Sequence, residues 1–432
     1  MKAGKLSKKV SKTKRWLLVL TVRGMGGVAA VLATWVASRL LGAESAGVLF
    51  LAFAIVTVLS TLSRLGLEST VVRFVSVHAS KNEWAQVAAV LVVALKWAGL
   101  TSLAVAVALF LSAGALAEYA FHMPTLAPVL RIMAWLVPLM ALYWLCAQGF
   151  VGLRRPEIAT TLQNNCLPLG FIALLLAALY MAAPWPREVT AAAAYTVAGA
   201  ATFSLGLMLL GLRVQGYVAR NVKIDTTAIW NSAKSLWVVT AMGQAVIWSG
   251  QLAAGALLAP KDVAHLASAQ RCAMLISLVL VVVAMLVSPD FATRYHRGDI
   301  VGLKKSAQRA TRLMAAMATA IAFIMVFFAE EIMSLFGDDF AKSVSLLIIL
   351  VFGQWVNVTT GSVSLLLKMS GHERDLRNIV LCTGMLSIFL AAILTFKFGT
   401  LGAAWATALA LITENCAAFL MVKRRLGFYT IG

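Results

Sequence analysis

The chain has 432 residues, of which 61% are hydrophobic and only 12% charged, and it carries a formal net charge of +20. This composition excludes an ordinary soluble globular protein, in which about half of the residues are apolar and about a quarter are charged. It also excludes a disordered chain, a collagen and a coiled coil.

Twelve stretches of the chain are apolar and long enough to cross a membrane as helices. Such a helix needs about 20 mainly apolar residues, and the helix is required because lipid cannot satisfy free backbone polar groups. The predicted spans are 16–38, 46–63, 86–112, 129–151, 159–182, 189–212, 235–257, 264–288, 313–335, 343–367, 377–398 and 400–422. The sequence therefore predicts an all-α polytopic membrane protein with twelve transmembrane helices.

Most of the positive charge lies in loops on one side of the predicted membrane. With the N-terminus inside, the inner segments carry 28 Lys and Arg residues and the outer segments carry 5. Because cytoplasmic loops are enriched in Lys and Arg, both termini are expected in the cytoplasm. These cations are dispersed over short loops, which argues against a nucleic-acid partner. The basic N-terminal tail instead favours anionic membrane lipids as partners.

Four cations remain inside the predicted spans: Arg23, Lys96, Arg131 and Arg271. A cation at mid-bilayer costs from about 3 to more than 10 kcal/mol, so each of them is a candidate for binding an anionic substrate. The alternative is that Arg131 snorkels to the outer headgroups and Lys96 to the inner ones. Arg23 and Arg271, each about seven residues inside a span, are harder to explain in this way.

Neutral polar residues also lie in the spans. Gln244, Trp248 and Gln251 are spaced i, i+4 and i+7 and therefore share one face of the seventh span. We expect this face to line a substrate cavity, although Trp side chains more often anchor helices at the membrane interface. Glu414 is the only acid placed deep in a span, and it either carries a coupling ion or pairs with a cation.

The sequence offers no constellation of catalytic or metal-binding residues. It contains no P-loop pattern. Its five Cys form no C-x-x-C pair, and no two carboxylates are placed for general acid–base catalysis. We therefore expect a protein that is not an enzyme and that uses no metal and no cofactor.

The two halves of the chain resemble each other at an offset of about half its length. AESAG at 43–47 corresponds to KDVAH at 261–265, and GLRRPE at 152–157 corresponds to KMSGHE at 368–373. Two six-helix repeats of the same orientation are typical of transporters in which two lobes rock to alternate access. The expected organisation is a V of two lobes around a central cationic cavity. Its segments are a basic tail at 1–15, an N-terminal lobe at 16–212, a linker at 213–234, a C-terminal lobe at 235–422 and a tail at 423–432.

Four motifs resemble those of polysaccharide flippases. They are SRLLGAESAG at 38–47, GLESTVVR at 66–73, LFGDDF at 335–340 and GTLGAA at 399–404. In this order they are similar to the oligosaccharide-lipid branch of the multidrug/oligosaccharidyl-lipid/polysaccharide (MOP) exporter superfamily. Ala43 and Ala46 depart from the Pro and the aromatic residue that are usual in the first motif. Twelve spans rather than fourteen disfavour the peptidoglycan-precursor flippases of the superfamily.

The resemblance implies a flippase that moves an undecaprenyl-pyrophosphate-linked oligosaccharide across the bacterial inner membrane for surface polysaccharide assembly. Its partners would be the lipid-linked oligosaccharide, a polysaccharide polymerase and a chain-length regulator, and we expect a monomer. Two other functions stay open. A cation-coupled drug antiporter of the same superfamily is disfavoured because no acid lies deep in the first six spans. A membrane-embedded polysaccharide-synthesis enzyme is disfavoured because no large loop carries catalytic residues.

Overall fold

The fold is built almost entirely from helices. The computed structural model describes the backbone of residues 2–181, 185–218 and 226–431, and within these ranges there is no β-strand. Side chains are described from Val19 onward, apart from those at 215–218, 226, 228, 231, 232 and 235.

Fifteen α-helices follow one another in the described ranges. They are α1 (Lys2–Ser63), α2 (Leu67–Ser80), α3 (Trp84–Ala115), α4 (Leu126–Ala134), α5 (Leu136–Gly152), α6 (Pro156–Thr160), α7 (Leu167–Tyr180), α8 (Arg187–Val218), α9 (Thr226–Leu257), α10 (Pro260–His296), α11 (Ile300–Phe327), α12 (Ala329–Ser334), α13 (Val344–Thr359), α14 (Val363–Met369) and α15 (Glu373–Leu426). Two π-helical segments, Leu116–Ala120 and Thr161–Cys166, extend α3 and join α6 to α7. A 3₁₀ turn at Asp338–Ser343 precedes α13.

The described helices supply the twelve predicted membrane spans. Eight helical segments are apolar and long enough to cross a membrane, and α4 and α5 form a ninth span with a bend of 40°. Two of the eight, with 45 residues in α1 and 54 in α15, are far longer than the about 20 residues that a bilayer needs. Each therefore makes two spans. With α9, whose Gln244 and Gln251 make it less apolar, the described residues contain twelve spans, and the all-α polytopic prediction is confirmed.

Glycines divide both long helices. Gly42 has a φ of 81° and Gly399 a φ of 60°, and each interrupts the helical backbone of α1 or α15. Glycine adopts positive φ at little cost because it has no Cβ. Gly42 lies in the motif at 38–47 and Gly399 begins the motif at 399–404, so two of the four motifs mark joints between consecutive spans.

The chain packs into two compact units. Unit 1 comprises Met1–Ala33 and Ile55–Thr240, and unit 2 comprises Thr34–Ala54 and Ala241–Gly432. The predicted N-terminal lobe at 16–212 differs from unit 1 at residues 34–54, which pack within unit 2. The physical reason is close backbone contact, because a Cβ on Gly47 would overlap the carbonyl group of Pro260. The other boundaries of the lobes and tails stay predictions.

The predicted linker at 213–234 is helical at both ends. Helix α8 continues to Val218 and α9 begins at Thr226. The central part of the predicted linker, 219–225, lies outside the described residues.

The core of unit 1 gathers four helix ends. Val75 near the end of α2, Phe150 near the end of α5 and Val214 near the end of α8 are buried in one hydrophobic cluster with Val87 at the start of α3. On α2 the buried residues recur every four positions, which gives this short helix one apolar face. The chain segments that follow α2 and α5 are therefore held close together at one end of unit 1.

We expect Gly47→Ala to lower the stability of the protein by about 1–3 kcal/mol, the usual cost of overpacking a tight contact. Alanine is a better helix former than glycine by up to about 1 kcal/mol. We expect a loss of stability rather than a gain because the new Cβ would overlap the backbone of Pro260. Gly24→Ala is the matched control, because no atom lies within 4 Å of the Cβ position at Gly24. Thermal unfolding of the purified variants measures both effects. A melting temperature of Gly47→Ala equal to that of Gly24→Ala contradicts the prediction.

Candidate substrate-binding site

The side chain of Arg271, in α10, lies against two aromatic rings within unit 2. Its guanidinium carbon is 5.7 Å from the ring centre of Phe53 and 5.6 Å from that of Trp248, within the about 6 Å of a cation–π contact. The two rings also contact each other, with centres 6.4 Å apart and planes at 62°. Arg271 is half-buried, and the two rings position its cation.

The residues of the predicted polar face of α9 have two different sets of contacts. The Trp248 indole N–H donates to Gln244 Oε1 at 3.0 Å, so Gln244 orients the ring that contacts Arg271. Gln251 is only 3% exposed, and its amide donates to the Phe50 carbonyl at 2.9 Å. A buried amide needs such a partner. Gln251 therefore joins α9 to α1 inside unit 2, which departs from the expected cavity-lining role.

Arg23 is half-buried in α1, within unit 1. It makes no hydrogen bond or ion pair with the residues that the structure describes. The neighbouring turn of α1 is fixed by Asn165, whose amide donates to the carbonyl of Val22 at 2.9 Å. Gly26 lies directly against Asn164, so a Cβ would overlap the asparagine side chain. Contacts with Asn164 and Asn165 therefore flank Arg23 on α1.

The segment between α6 and α7, which contacts α1 on either side of Arg23, is π-helical and polar. Thr161–Cys166 contains Gln163, Asn164 and Asn165. The Gln163 amide nitrogen and the Asn165 side-chain oxygen are buried without a hydrogen-bond partner among the described residues. π-Helical turns occur frequently at functional sites, and unpaired buried polar atoms are costly unless a ligand or water satisfies them. Nothing in the local sequence indicates the π-helical turn.

Lys96 and Arg131, the other two predicted cations, lie at exposed positions of unit 1. Lys96 is in α3 and Arg131 in α4. Neither makes an ion pair or hydrogen bond with any described residue. Their exposure is compatible with both interpretations of the sequence, substrate contact and snorkelling. Their binding role stays a prediction.

Glu414 is half-buried in α15, as expected for the acid placed deepest in a span. Lys368 is the charged residue that acts on it electrostatically, but no cation lies within 4 Å of its carboxylate among the described residues. Its coupling-ion role stays a prediction. In the described ranges no three His, Cys, Asp or Glu side chains are close enough together to hold a metal ion.

Arg64 is a buried cation that the sequence analysis placed in a cytoplasmic loop. It follows α1 directly and is only 5% exposed. Its Nη2 donates to Thr61 Oγ1 at 2.7 Å, its Nε lies 3.3 Å from Glu68 Oε2, and its guanidinium covers the Trp144 ring at 4.9 Å. The i, i+4 spacing of Arg64 and Glu68 was the available signal for an ion pair. Its burial depends on Trp144, which is distant in sequence.

Comparison with known proteins shows that the chain has a transporter fold. The family model described as "Polysaccharide biosynthesis protein" matches residues 13–293, well over half of the chain, and the MatE model matches residues 240–393. No curated protein sequence matches the chain significantly.

Solved structures share the fold at low sequence identity. An inward-facing multidrug resistance MATE transporter of the MOP superfamily superposes with a TM-score of 0.78 at 14% identity, covering 95% of this chain and 98% of that one. The lipid II flippase MurJ, in an inward closed conformation, gives 0.72 at 14% identity over 94% and 87%. A MOP superfamily transporter from Pyrococcus furiosus gives 0.68 at 14% identity over 96% of both chains.

Proposed function

Since the chain belongs to the family of polysaccharide biosynthesis proteins, within the MOP superfamily of transporters and flippases, we propose that it is a flippase for a lipid-linked oligosaccharide. The cargo is an undecaprenyl-pyrophosphate-linked repeat unit, which crosses the bacterial inner membrane by alternating access for surface polysaccharide assembly. The observation that carries the proposal is the guanidinium of Arg271, held by Phe53 and Trp248 within an apolar helix.

Polar side chains in both units suit the pyrophosphate and the sugars of such a cargo. The planar guanidinium of an arginine binds two phosphate oxygens at once, so Arg271 is the proposed pyrophosphate contact of unit 2, and Arg23 is a separate proposed contact of unit 1. Lys96 and Arg131 add positive charge at other depths of unit 1. Amide groups suit sugar hydroxyls, and Gln244 beside Trp248 is the proposed sugar contact.

The remaining roles follow from topology and charge. The excess of Lys and Arg in the inner loops orients both termini to the cytoplasm, and the cationic tail attracts anionic lipids there. Glu414 is the proposed coupling-ion residue. The protein acts as a monomer that delivers its cargo to a polysaccharide polymerase and a chain-length regulator.

A second candidate function is a cation-coupled drug or organic-cation antiporter. It is favoured by the MatE model over residues 240–393 and by the superposition on MATE transporters. Four cations in the predicted spans oppose it, because they repel a cationic substrate.

Translocation in proteoliposomes tests the proposed function. The purified protein is reconstituted with a fluorescent undecaprenyl-pyrophosphate-linked oligosaccharide, and quenching by a membrane-impermeant reductant measures the share of label in the outer leaflet. We expect labelled lipid from the inner leaflet to become accessible faster than in protein-free vesicles. Equal rates with and without protein, together with proton-driven accumulation of an organic cation, would establish the antiporter instead.

A further inference from the structure

Unit 1 contains a cavity that lies outside the predicted binding residues. It has a volume of about 270 Å³ and lies where the ends of α2, α5 and α8 meet the start of α3. Its size is close to the roughly 300 Å³ at which ligand pockets begin. Its polar and aromatic lining comprises Ser76, Ser80, Trp84, Arg154, Arg155 and Arg213.

The three arginines give this cavity an excess of positive charge. Arg155 is only loosely paired with Glu157, at 3.8 Å. Arg213 makes no ion pair or hydrogen bond with any residue that the structure describes. The described lining contains three arginines and no Asp or Glu, so an anion in this small space is electrostatically favoured. Each guanidinium offers a rigid fork of donors that matches the oxygens of a phosphate.

The backbone of Arg154 is unfavourable for an arginine. The N–H of Arg155 donates to the carbonyl of Phe150 at 2.8 Å, and that of Arg154 donates to the carbonyl of Val151 at 3.0 Å. These are the two bonds of a Schellman motif, whose left-handed position is usually occupied by glycine. Here that position is Arg154, with a φ of 58°. A residue with a Cβ is disfavoured in the left-handed region, so an arginine occupies this position against the local backbone preference.

The rest of the lining is apolar and supplies a flat aromatic face. Trp84, Phe150 and Leu153 form this wall, and an aromatic ring offers a large rigid surface for the carbon face of a ring-shaped ligand. We propose that this cavity binds a glycosyl pyrophosphate, with the pyrophosphate between Arg154, Arg155 and Arg213 and the first sugar against Trp84. The same chemistry occurs in lipid-linked and in nucleotide-linked sugars. The assignment to the lipid-linked form rests on the proposed flippase function.

Binding to the full-length protein in lipid nanodiscs tests the proposal. The probes are inorganic pyrophosphate, UDP-N-acetylglucosamine, and polyprenyl-pyrophosphate-linked N-acetylglucosamine incorporated in the nanodisc. We expect Arg155→Ala and Arg213→Ala each to weaken pyrophosphate binding by about tenfold or more, as for the loss of a charge-assisted hydrogen bond. Arg73→Ala, an exposed arginine of α2 outside the cavity lining, serves as the matched control and is expected to stay within about twofold of wild type.

Arg154→Gly separates binding from folding. Because glycine suits the left-handed position, this variant is expected to melt at or above the wild-type temperature and yet to bind pyrophosphate about tenfold more weakly. A structural role for Arg154 predicts the opposite, a lower melting temperature with unchanged binding, and would overturn its assignment to the site.

The outcomes distinguish this cavity from the proposed function. Absence of pyrophosphate binding to the wild-type protein, or equal binding by the cavity variants and Arg73→Ala, overturns the proposal even if the protein translocates lipid. Loss of binding confined to the cavity variants upholds it even if translocation is absent. Tighter binding of the nanodisc-embedded probe than of the UDP sugar identifies the lipid-linked source, and the reverse order identifies the nucleotide-linked source.

Discussion

Protein carrying Arg271→Ala is expected to translocate the lipid-linked oligosaccharide at least about tenfold more slowly than wild type, while reaching the same level in the membrane. The pyrophosphate must cross a layer of low dielectric, where an arginine fork replaces part of its hydration. A hydrogen bond to a charged group is worth about 1.5–3 kcal/mol, and each 1.4 kcal/mol lost from the transition state slows transport about tenfold.

Two further variants separate the charge of Arg271 from its geometry. Arg271→Lys keeps a point charge but loses the fork that binds two oxygens, so its rate is expected to lie between those of wild type and Arg271→Ala. Arg39→Ala removes an exposed arginine of unit 2 and is expected to leave the rate unchanged. The Arg23→Ala/Arg271→Ala double variant is the most severe test. If it transports at the wild-type rate, neither arginine carries the pyrophosphate.

The apolar stretches of the sequence predicted the spans. Two of the motifs predicted the joints between consecutive spans. Long apolar runs must become helices in lipid, and the glycines at the joints, Gly42 and Gly399, lie inside motifs read from the sequence. Hydropathy does not tell which neighbour a span packs against. Residues 34–54, which the predicted N-terminal lobe contains, pack within unit 2 through contacts such as that of Gly47 with Pro260.

The sequence identifies the polar residues in the spans but does not indicate what each of them contacts. Gln244 and Gln251 share a helix face. Only the fold shows that Gln244 accepts a hydrogen bond from Trp248, whereas Gln251 donates one to the Phe50 carbonyl. Arg64 was counted with the loop cations because it directly follows a span. It contacts the ring of Trp144, about 80 residues away in sequence, and no local pattern indicates such a contact.

A large loss of stability is expected when the buried ion pair of Arg64 is broken. Glu68→Ala should lower the free energy of unfolding by about 3–5 kcal/mol, the usual cost of leaving one charge of a buried pair uncompensated. Arg64 is 5% exposed, and among the described residues its contacts besides Glu68 include the Thr61 hydroxyl and the Trp144 ring. Its Nε already lacks a hydrogen-bond partner among the described residues. Thermal unfolding of the purified protein should show a clearly lower melting temperature.

The pair of Arg425 and Asp375 shows why burial of the arginine, rather than bond length, determines the size of this effect, because the Arg425 side chain is 45% exposed and that of Arg64 only 6%. Its two hydrogen bonds, at 2.7 and 2.9 Å, are shorter than the 3.3 Å contact of Arg64 with Glu68. Water nevertheless screens the exposed guanidinium of Arg425, so Asp375→Ala is expected to leave the melting temperature unchanged. Replacing both buried charges, in Arg64→Met/Glu68→Leu, should recover most of the stability that Glu68→Ala loses, because no unpaired charge remains. If the double variant is as unstable as Glu68→Ala, packing around α2 rather than the unpaired cation accounts for the loss.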